Sequence, residues 1–495
     1  MPVTESGPKA ASNSSRSAYV AVMTAQDTRI AAGMQMPAQE GLWRAEVIET
    51  LRLSWPMALT QLGQIAMMTT DLMLLGRLGD HVVAATALAH TVLFAAFTVG
   101  MGLVSAVAPL ASQAYGARQP RMVRRALRVG LWAALMAGLP LTALQLWGRD
   151  ILILLGQTPE AASLAGRYLQ GLGWSLVPAW AFMALRNFMS AVNRPEPALW
   201  ITLAAIPANL VLAYALIYGA FGLPELDLLG AGLATSLVNI GMCVSAIWVC
   251  YARHPFRKYR VLGRFWRPDW VLFAKLLAVG APISGTFLME FGVFAAAALL
   301  MGMISTTALA AHQIALQTAA VMFMVPFGIS LAATVRVGHA AGRGDSAAAR
   351  RAGFAAIALG TVFMAAMTLL VALTRHVIPW IFLGPTAETA VETAALAATL
   401  LLLGMSFFIA DGVQTVAAGA LRGLNDTRVP LLFSAISFWG IAFGACYWLA
   451  FSVGWGAIGV WVGLSLGLAV YAVLLVWRFQ VLSRRGYLPE VPTAA

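Results

Sequence analysis

Twelve apolar segments, each near the length that crosses a lipid bilayer, dominate this chain of 495 residues. A helix needs about 20 apolar residues to span the hydrocarbon core. Charged residues are 11% of the chain, against about 25% in a soluble protein. We therefore predict an all-α integral membrane protein. The expected spans are about 53–75, 87–114, 124–148, 163–187, 197–220, 229–251, 271–303, 307–341, 352–374, 391–419, 429–452 and 456–479.

The net charge of +12 comes from arginines and lysines that lie almost wholly between these segments. Nucleic-acid binding is one interpretation of such a charge. However, the cations concentrate in alternate connections and in the C-terminal tail. These connections join segments 2 and 3, 6 and 7, 8 and 9, and 10 and 11. This is the positive-inside pattern of a membrane protein. It predicts that both termini are cytoplasmic, that anionic lipids contact the 6–7 connection, and that nucleic acid is not a partner.

The two halves of the chain repeat one another. SWPMALTQLGQ (54–64) resembles GAPISGTFLME (280–290), and SQAYGARQ (112–119) parallels VGHAAGRG (337–344). ALRNFMSAVNRP (184–195) parallels ALRGLNDTRVP (420–430), which pairs Arg186 with Arg422 at equivalent helix ends, where we expect them to anchor or pair locally. Six helices per half insert both halves the same way up, which predicts two six-helix lobes about a pseudo-two-fold axis along the membrane normal, with a cavity between them.

These repeats give a division of the chain into five parts. The parts are a polar, disordered cytoplasmic tail (1–44), an N-lobe (45–252), a basic cytoplasmic linker (253–269), a C-lobe (270–482) and a short cytoplasmic tail (483–495).

Three carboxylates fall within the apolar segments. They are Asp71, Glu290 and Asp411. An ionisable residue inside a span is costly, so it indicates a functional site. The alternative for Asp71 is an acid at a helix end near outer water. The alternative for the other two is a buried acid held by one hydrogen bond. Carboxylate with amide oxygens would suit a monovalent cation, and paired acids alone would suit a proton.

Weaker polar candidates accompany these acids. Gln64 precedes Asp71 by two helical turns and shares its helix face, and Gln414 follows Asp411 by one turn. Asn209 is either part of a polar network or a helix–helix contact, and capping and packing compete with a functional role for His312 and Gln313. In the second half, Glu290 replaces Gln64 and Ala297 replaces Asp71, so we expect the two lobes to differ in function.

The sequence contains no pattern typical of an enzyme. It has no Walker loop of the form GxxxxGK[ST]. Its three cysteines form no CxxC pair and indicate neither disulfides nor a zinc site. We therefore expect no enzymatic activity and no cofactor besides a coupling ion.

Taken together, these motifs resemble the multidrug and toxic compound extrusion (MATE) family, in its bacterial NorM-type branch. The resemblance covers about 51–482. It depends on the pattern of Pro56, Gln61 and Asp71 and on four later stretches. These are GAPISGTFLMEFGVF, TALAAHQIALQ, VRVGHAAGRGD and ADGVQTVAAGALRGLNDT.

The resemblance implies outward antiport of cationic or amphipathic drugs against Na⁺ or H⁺ by alternating access of the two lobes. It implies a multi-pass protein of the bacterial inner membrane, which we expect to be monomeric. By motif position, Asp71, Glu290 and Asp411 are the coupling or substrate acids, and Glu290 with Asp411 forms a cation site that can hold Na⁺. Several relatives carry a tyrosine one turn before the last acid. Phe407 stands here, which removes a possible oxygen ligand, so the coupling ion stays open.

Three other functions compete with drug export. A flippase for a lipid-linked precursor would need cations inside the cavity to hold a pyrophosphate, whereas the mid-span charges here are acids. A membrane scaffold without transport activity would tolerate loss of any one acid. A carrier of the major-facilitator type would carry a fuller 2–3 loop motif than GRLGD (76–80).

Overall fold

The computed structural model describes residues 39–78, 80–154, 156–222, 224–261, 263, 265–383 and 390–489. Most of the predicted N-terminal tail (1–38) and the end of the C-terminal tail therefore lie outside the described residues. By its contacts the chain forms two units, Met1–Glu46 and Val47–Ala495. The description that follows concerns the second unit.

Twelve long helical passes make up the described chain, and they confirm the predicted all-α fold. We number them α1 to α12. The first six are α1 (Gln39–Gly76), α2 (Asp80–Ser105 and Val107–Gly116), α3 (Pro120–Leu146), α4 (Pro159–Leu172 and Leu176–Ala191), α5 (Glu196–Tyr218) and α6 (Asp227–Ala252). The second six are α7 (Trp270–Ile304), α8 (Thr306–Gly342), α9 (Ser346–Thr374), α10 (Ala390–Gly423), α11 (Arg428–Ser452) and α12 (Ala457–Arg484).

The two halves share irregular features as well as the number of helices. A short helix follows the third pass of each half, Gly148–Leu154 after α3 and Ile378–Phe382 after α9. By length and composition, ten helices among the described residues can cross a membrane. Of the remaining two passes, α1 carries several polar residues and α4 is interrupted by a 3₁₀ turn at Gly173–Ser175.

Polar caps begin several of the helices. Side-chain oxygens of Thr158, Asp269, Ser305 and Asp345 accept a hydrogen bond from the backbone amide three residues on, an interaction that stabilises a helix by about 1 kcal/mol. Asp269 also pairs with Arg125 of α3 at 2.5 Å. Partial burial works to raise the pKa of Asp269, but the hydrogen bonds from Arg125 and from the Leu272 amide outweigh it and hold that pKa below its usual range.

The linker between the halves is fixed to α3. The Trp132 indole donates to the carbonyl oxygen of Phe265 at 3.1 Å, and the two rings stack at 5.6 Å between centroids. Arg125 holds the end of the linker through Asp269. The chain therefore enters α7 from a position set by the first half.

Each half has its own hydrophobic core, and the first helix of each half extends into the other. The N-terminal part of α7, from Leu272 to Ile283, packs in the first-half core. Its C-terminal part, from Val293 to Met301, packs in the second-half core. In the same way, Leu53 and Met57 of α1 pack against α8. The two halves are thus interlocked by their first helices.

Glycines bring the halves together in a pseudo-symmetric manner. A Cβ on Gly102 of α2 would lie 2.4 Å from the Ser284 Cα of α7. A Cβ on Gly328 of α8 would lie 2.6 Å from the Ala58 Cα of α1. The repeat that pairs 54–64 with 280–290 makes these two contacts equivalent. Such reciprocity is typical of a two-fold interface and agrees with the predicted pseudo-two-fold axis.

Within the second half, Gly419 is a point where α10 lies close to α8. A Cβ there would lie 2.4 Å from the carbonyl oxygen of Ser330, and the Thr334 hydroxyl donates to the Gly419 carbonyl oxygen at 2.8 Å. We expect Gly419→Ala to destabilise the purified protein by about 1–3 kcal/mol through overpacking, measured as a lower thermal midpoint in detergent. The control is Gly241→Ala on α6, where a Cβ would meet nothing within 4 Å. Equal midpoints for the two variants would contradict the close α8–α10 packing.

Candidate functional site

The structure brings the two second-half acids together around one amide. Gln414 of α10 donates from Nε2 to the Glu290 Oε1 of α7 at 2.9 Å and to the Asp411 Oδ1 at 3.1 Å. Asp411 and Gln414 are buried, whereas Glu290 is partly exposed. We call Glu290, Asp411 and Gln414 the acid pair site. Of its three members, Glu290 is the one that is open to solvent.

Two carboxylates that share one amide repel each other when both are charged, and this repulsion is strong in apolar surroundings. A proton or a monovalent cation bound between them removes the repulsion. Hard cations prefer oxygen ligands, and the orientation of the Gln414 amide decides whether it offers oxygen or nitrogen. Among the described residues no group of three or more His, Cys, Asp or Glu side chains is arranged to hold a metal ion.

A partly buried cation lies near the acid pair site. The Arg422 guanidinium lies over the Phe287 ring at 4.8 Å and interacts electrostatically with Glu290. The Tyr471 hydroxyl donates to the Pro430 carbonyl oxygen at 3.4 Å and interacts with both of these charged groups. Sequence analysis placed Arg422 as a local anchor and missed this role. A mid-span acid followed by an arginine three turns later on the same helix is the signal that could have found it.

The first half holds a second polar cluster around Asp71. Its Oδ1 accepts from the Asn209 amide of α5 at 2.6 Å, and its Oδ2 accepts from the Thr235 hydroxyl of α6 at 3.0 Å. Asp71 is only 8% exposed, which favours a buried polar network over an acid in outer water. Asn209 belongs to the polar network that the sequence left open. Thr235 was not predicted, because one threonine in an apolar helix carries no distinguishing signal.

Gln64 lies away from Asp71. Its Oε1 is 3.4 Å from the Nη1 of Arg186 in α4, and the same nitrogen donates to the Gln61 Oε1 at 2.5 Å. Two helical turns separate the residues by about 10 Å along the axis. Gln64 and Asp71 therefore belong to two different clusters.

The halves place opposite charges at equivalent helix junctions. Where α1 meets α4, Arg186 is bound by two glutamine oxygens. Where α7 meets α10, the two carboxylates of the acid pair site both accept a hydrogen bond from the Gln414 amide. The repeat makes Gln64 the counterpart of Glu290. The two lobes therefore differ in the charge at this junction. Glutamines surround an arginine in the first lobe, and a glutamine joins two carboxylates in the second.

His312 and Gln313 make no contact with the acid pair site that the structure describes. His312 is fully buried, its ring packs edge-on against Trp461 at 5.8 Å, and neither ring nitrogen has a hydrogen-bond partner among the described residues. Gln313 is exposed. Phe407 belongs to the same aromatic cluster, 5.3 Å from Trp461 and 5.9 Å from Phe294.

Reciprocal hydrogen bonds close the end of the bundle where the arginine-rich connections lie, which we call the basic end. Gln113 of α2 donates to the Gly423 carbonyl oxygen at 2.8 Å. The His339 Nε2 of α8 donates to the Ala191 carbonyl oxygen at 2.7 Å. We call Gln113, Ala191, His339 and Gly423 the basic-end clasp. Both bonds join one half to the other.

The backbone shows that the two bonds of the clasp are equivalent. The helices that contribute the carbonyls end at left-handed residues, Asn193 and Asn425, with φ of 58° in both cases. This pairs Ala191 with Gly423. Asn425 additionally donates to the Gln113 Oε1 at 2.8 Å.

The same backbone register corrects two pairings made from the sequence. Arg186 lies two turns before Asn193, whereas Arg422 lies one turn before Asn425, so these arginines are not equivalent. The shared letters ALR misled the alignment. The clasp likewise pairs His339 with Gln113, which shifts the alignment of 112–119 with 337–344 by one residue.

Comparison with known proteins gives a consistent family. The MatE family model matches residues 56–215 and 282–448, one match in each half. The chain is 65% identical to the "Probable multidrug resistance protein NorM" of Rhodopseudomonas palustris, over 94% of this chain and 98% of that protein. It is 59% identical to the protein of the same name from Bradyrhizobium diazoefficiens, over 89% and 94% respectively.

Solved structures share the fold at low sequence identity. "Crystal structure of eukaryotic MATE transporter AtDTX14" matches with a TM-score of 0.80 at 22% identity, over 90% of this chain and 99% of that one. "Outward-facing conformation of a multidrug resistance MATE family transporter of the MOP superfamily" matches with a TM-score of 0.79 at 20% identity, over 90% and 98%. With both halves matched and close relatives along nearly its whole length, this multi-pass membrane protein belongs to the MatE family, in its bacterial NorM-type branch.

Proposed function

We propose that the chain exports cationic or amphipathic drugs from a bacterial cytoplasm, as a secondary antiporter driven by H⁺ or Na⁺, without enzymatic activity or an organic cofactor. The observation that carries the proposal is the acid pair site, two carboxylates held by one amide inside the membrane-spanning bundle. Relatives named as multidrug resistance proteins support the drug cargo.

The charge of the site favours a cationic cargo. Cargo and coupling ion can both neutralise Glu290 and Asp411, so each would displace the other. The flippase alternative needs a cation at the cargo site to hold a pyrophosphate, and the paired carboxylates of the acid pair site weigh against it.

The arrangement of contacts between the halves supports the proposal of alternating access. We assign the basic end to the cytoplasm by the positive-inside rule and the inner membrane by the relatives' bacterial sources. The clasp and the Gly102–Ser284 and Gly328–Ala58 contacts lie in the basic half of the bundle. The structure would then be closed toward the cytoplasm, and opening the clasp would admit drug from that side.

The coupling ion can be found with purified protein in liposomes. Each gradient is imposed alone, and we expect ethidium efflux under a pH gradient or under a Na⁺ gradient, because either ion can neutralise the acid pair site. The measurement is ethidium fluorescence after each gradient is applied. Efflux under one gradient identifies the ion. No efflux under either gradient, from protein shown to be folded, would favour the flippase alternative.

The acids can be tested with nearly isosteric amides. We expect Glu290→Gln and Asp411→Asn each to abolish gradient-driven efflux with little loss of folded protein, because an amide removes a costly buried charge. The control is Glu392→Gln, an exposed acid at the start of the same helix α10, which should export normally. Full export by both test variants would refute the assignment of the site.

The clasp can be tested as a gate. In a background without the three native cysteines, we expect a combined Gln113→Ala and His339→Ala variant to expose Ser112→Cys to an impermeant maleimide. Ser112 is fully buried against Gly338. Each lost hydrogen bond removes about 0.5–1.5 kcal/mol, so labelling should accelerate about tenfold. Ser236→Ala, which removes a hydrogen bond to Gly171 within the first half, is the control. Equal labelling rates of Ser112→Cys with the clasp intact and with Gln113 and His339 replaced would show that the clasp is not a gate.

A further inference from the structure

A cavity of about 420 Å³ lies at the basic end, on the surface side of the clasp. The first half and the linker contribute Tyr115, Arg118, Gln119, Asn193 and Tyr259 to its lining, and α8 with the loop after it contributes Arg336, His339 and Arg343. The cavity therefore belongs to neither half alone.

The lining is cationic and rich in hydrogen-bond donors. Three guanidinium groups border the cavity, and the described lining contains no carboxylate. Arg336 lies 4.0 Å from Glu49, so part of its charge is compensated. Arg118 and Arg343 are exposed on either side of the opening between the halves. Arginine forks match phosphate oxygens, and such charge-assisted bonds are about twice as strong as neutral ones.

The backbone at Arg118 supports a role for its side chain. Arg118 has a φ of 57°, in the left-handed region that costs a residue other than glycine about 1–2 kcal/mol. The equivalent position of the second half is Gly344, with a φ of 78°. Glycine thus satisfies this turn in one half, whereas the half that borders the cavity has an arginine. Strain of this kind points to function.

The shape of the cavity depends on contact between the halves. Its inner wall is the pair of Tyr115 and His339 rings, 4.9 Å apart, and a Cβ on Gly116 would lie 2.3 Å from the His339 carbonyl oxygen. His339 is also part of the clasp. When the halves separate at this end, Arg118 moves away from Arg336 and Arg343. A ligand that contacts both sides therefore favours the closed clasp by its differential affinity.

We propose that this cavity binds a phosphate-bearing anion between Arg118, Arg336 and Arg343, and that binding holds the two halves together at the basic end. The anion is either the head group of an anionic phospholipid or a free phosphate. Both offer the same oxygens to the arginines, and the membrane interface makes the head group available at high local concentration.

The test measures the separation of the halves and does not require transport, so it is independent of the proposed export. Spin labels at Ala252→Cys and Ala347→Cys, exposed alanines of α6 and α9 at the basic end, report the distance between halves in a full-length protein without native cysteines. Three samples are compared. They are phosphatidylcholine nanodiscs, phosphatidylcholine nanodiscs with added inorganic phosphate, and nanodiscs that contain phosphatidylglycerol.

We expect an anion to increase the short-distance population. A shift with phosphatidylglycerol alone identifies a lipid head group, and a shift with phosphate in phosphatidylcholine identifies a free anion. Arg118→Gln with Arg343→Gln should weaken the response about tenfold or more in anion concentration. Arg118→Lys with Arg343→Lys, which keeps the charge and the fold, should retain part of it.

A matched control separates the cavity from general surface charge. Arg484→Gln with Arg485→Gln removes the same charge from exposed positions at the end of α12 and should leave the response unchanged. The proposal would be overturned if neither phosphatidylglycerol nor inorganic phosphate changed the distance distribution between the two labels. An equal loss in the control and the cavity variants would overturn it as well, because the effect would then come from overall charge.

Discussion

Hydrocarbon provides no hydrogen-bond partners, and this constraint governs the whole molecule. Backbone groups in a bilayer must be satisfied within the chain, which leaves helices as the only long elements among the described residues. Side chains obey the same rule. Hydroxyls of Thr60, Thr86 and Thr98 bond to carbonyl oxygens one turn earlier in their own helix. Asp71, Glu290 and Asp411 are exceptions that need partners from other helices, so their positions fix how those helices meet.

The acid pair site and the Asp71 cluster meet this need differently. Asp71 has both oxygens bound, by an amide and by a hydroxyl from two helices, and it is buried. Glu290 and Asp411 share a single amide group, and Glu290 is partly exposed. The second site is therefore less completely satisfied and more open. These are the properties a site needs if it is to exchange a cation, whereas the first site has the character of a fixed network.

Hydropathy and the repeat were sufficient to predict the helices, their number and the pseudo-two-fold relation, because the period and length of apolar segments are local properties. They also identified the three acids, since a charge in an apolar run stands out. The partners Thr235 and Arg422 were missed because their importance depends on contacts between distant helices. Letter matching placed Arg186 against Arg422, whereas the left-handed residues Asn193 and Asn425 set the true register. Irregular backbone carries that information, and apolar composition does not.

The path of α7 through both cores has a mechanical consequence. Its N-terminal part packs in the first-half core, its start is tied to α3 through Asp269, and its C-terminal part packs in the second-half core. Pro282, which cannot donate a backbone hydrogen bond, lies near the changeover, eight residues before Glu290. Any rotation of one half against the other must therefore bend or twist this helix. Under the proposed function, this helix would convert rotation of the halves into displacement of Glu290 relative to Asp411, and one continuous piece of backbone would couple cation affinity to lobe position.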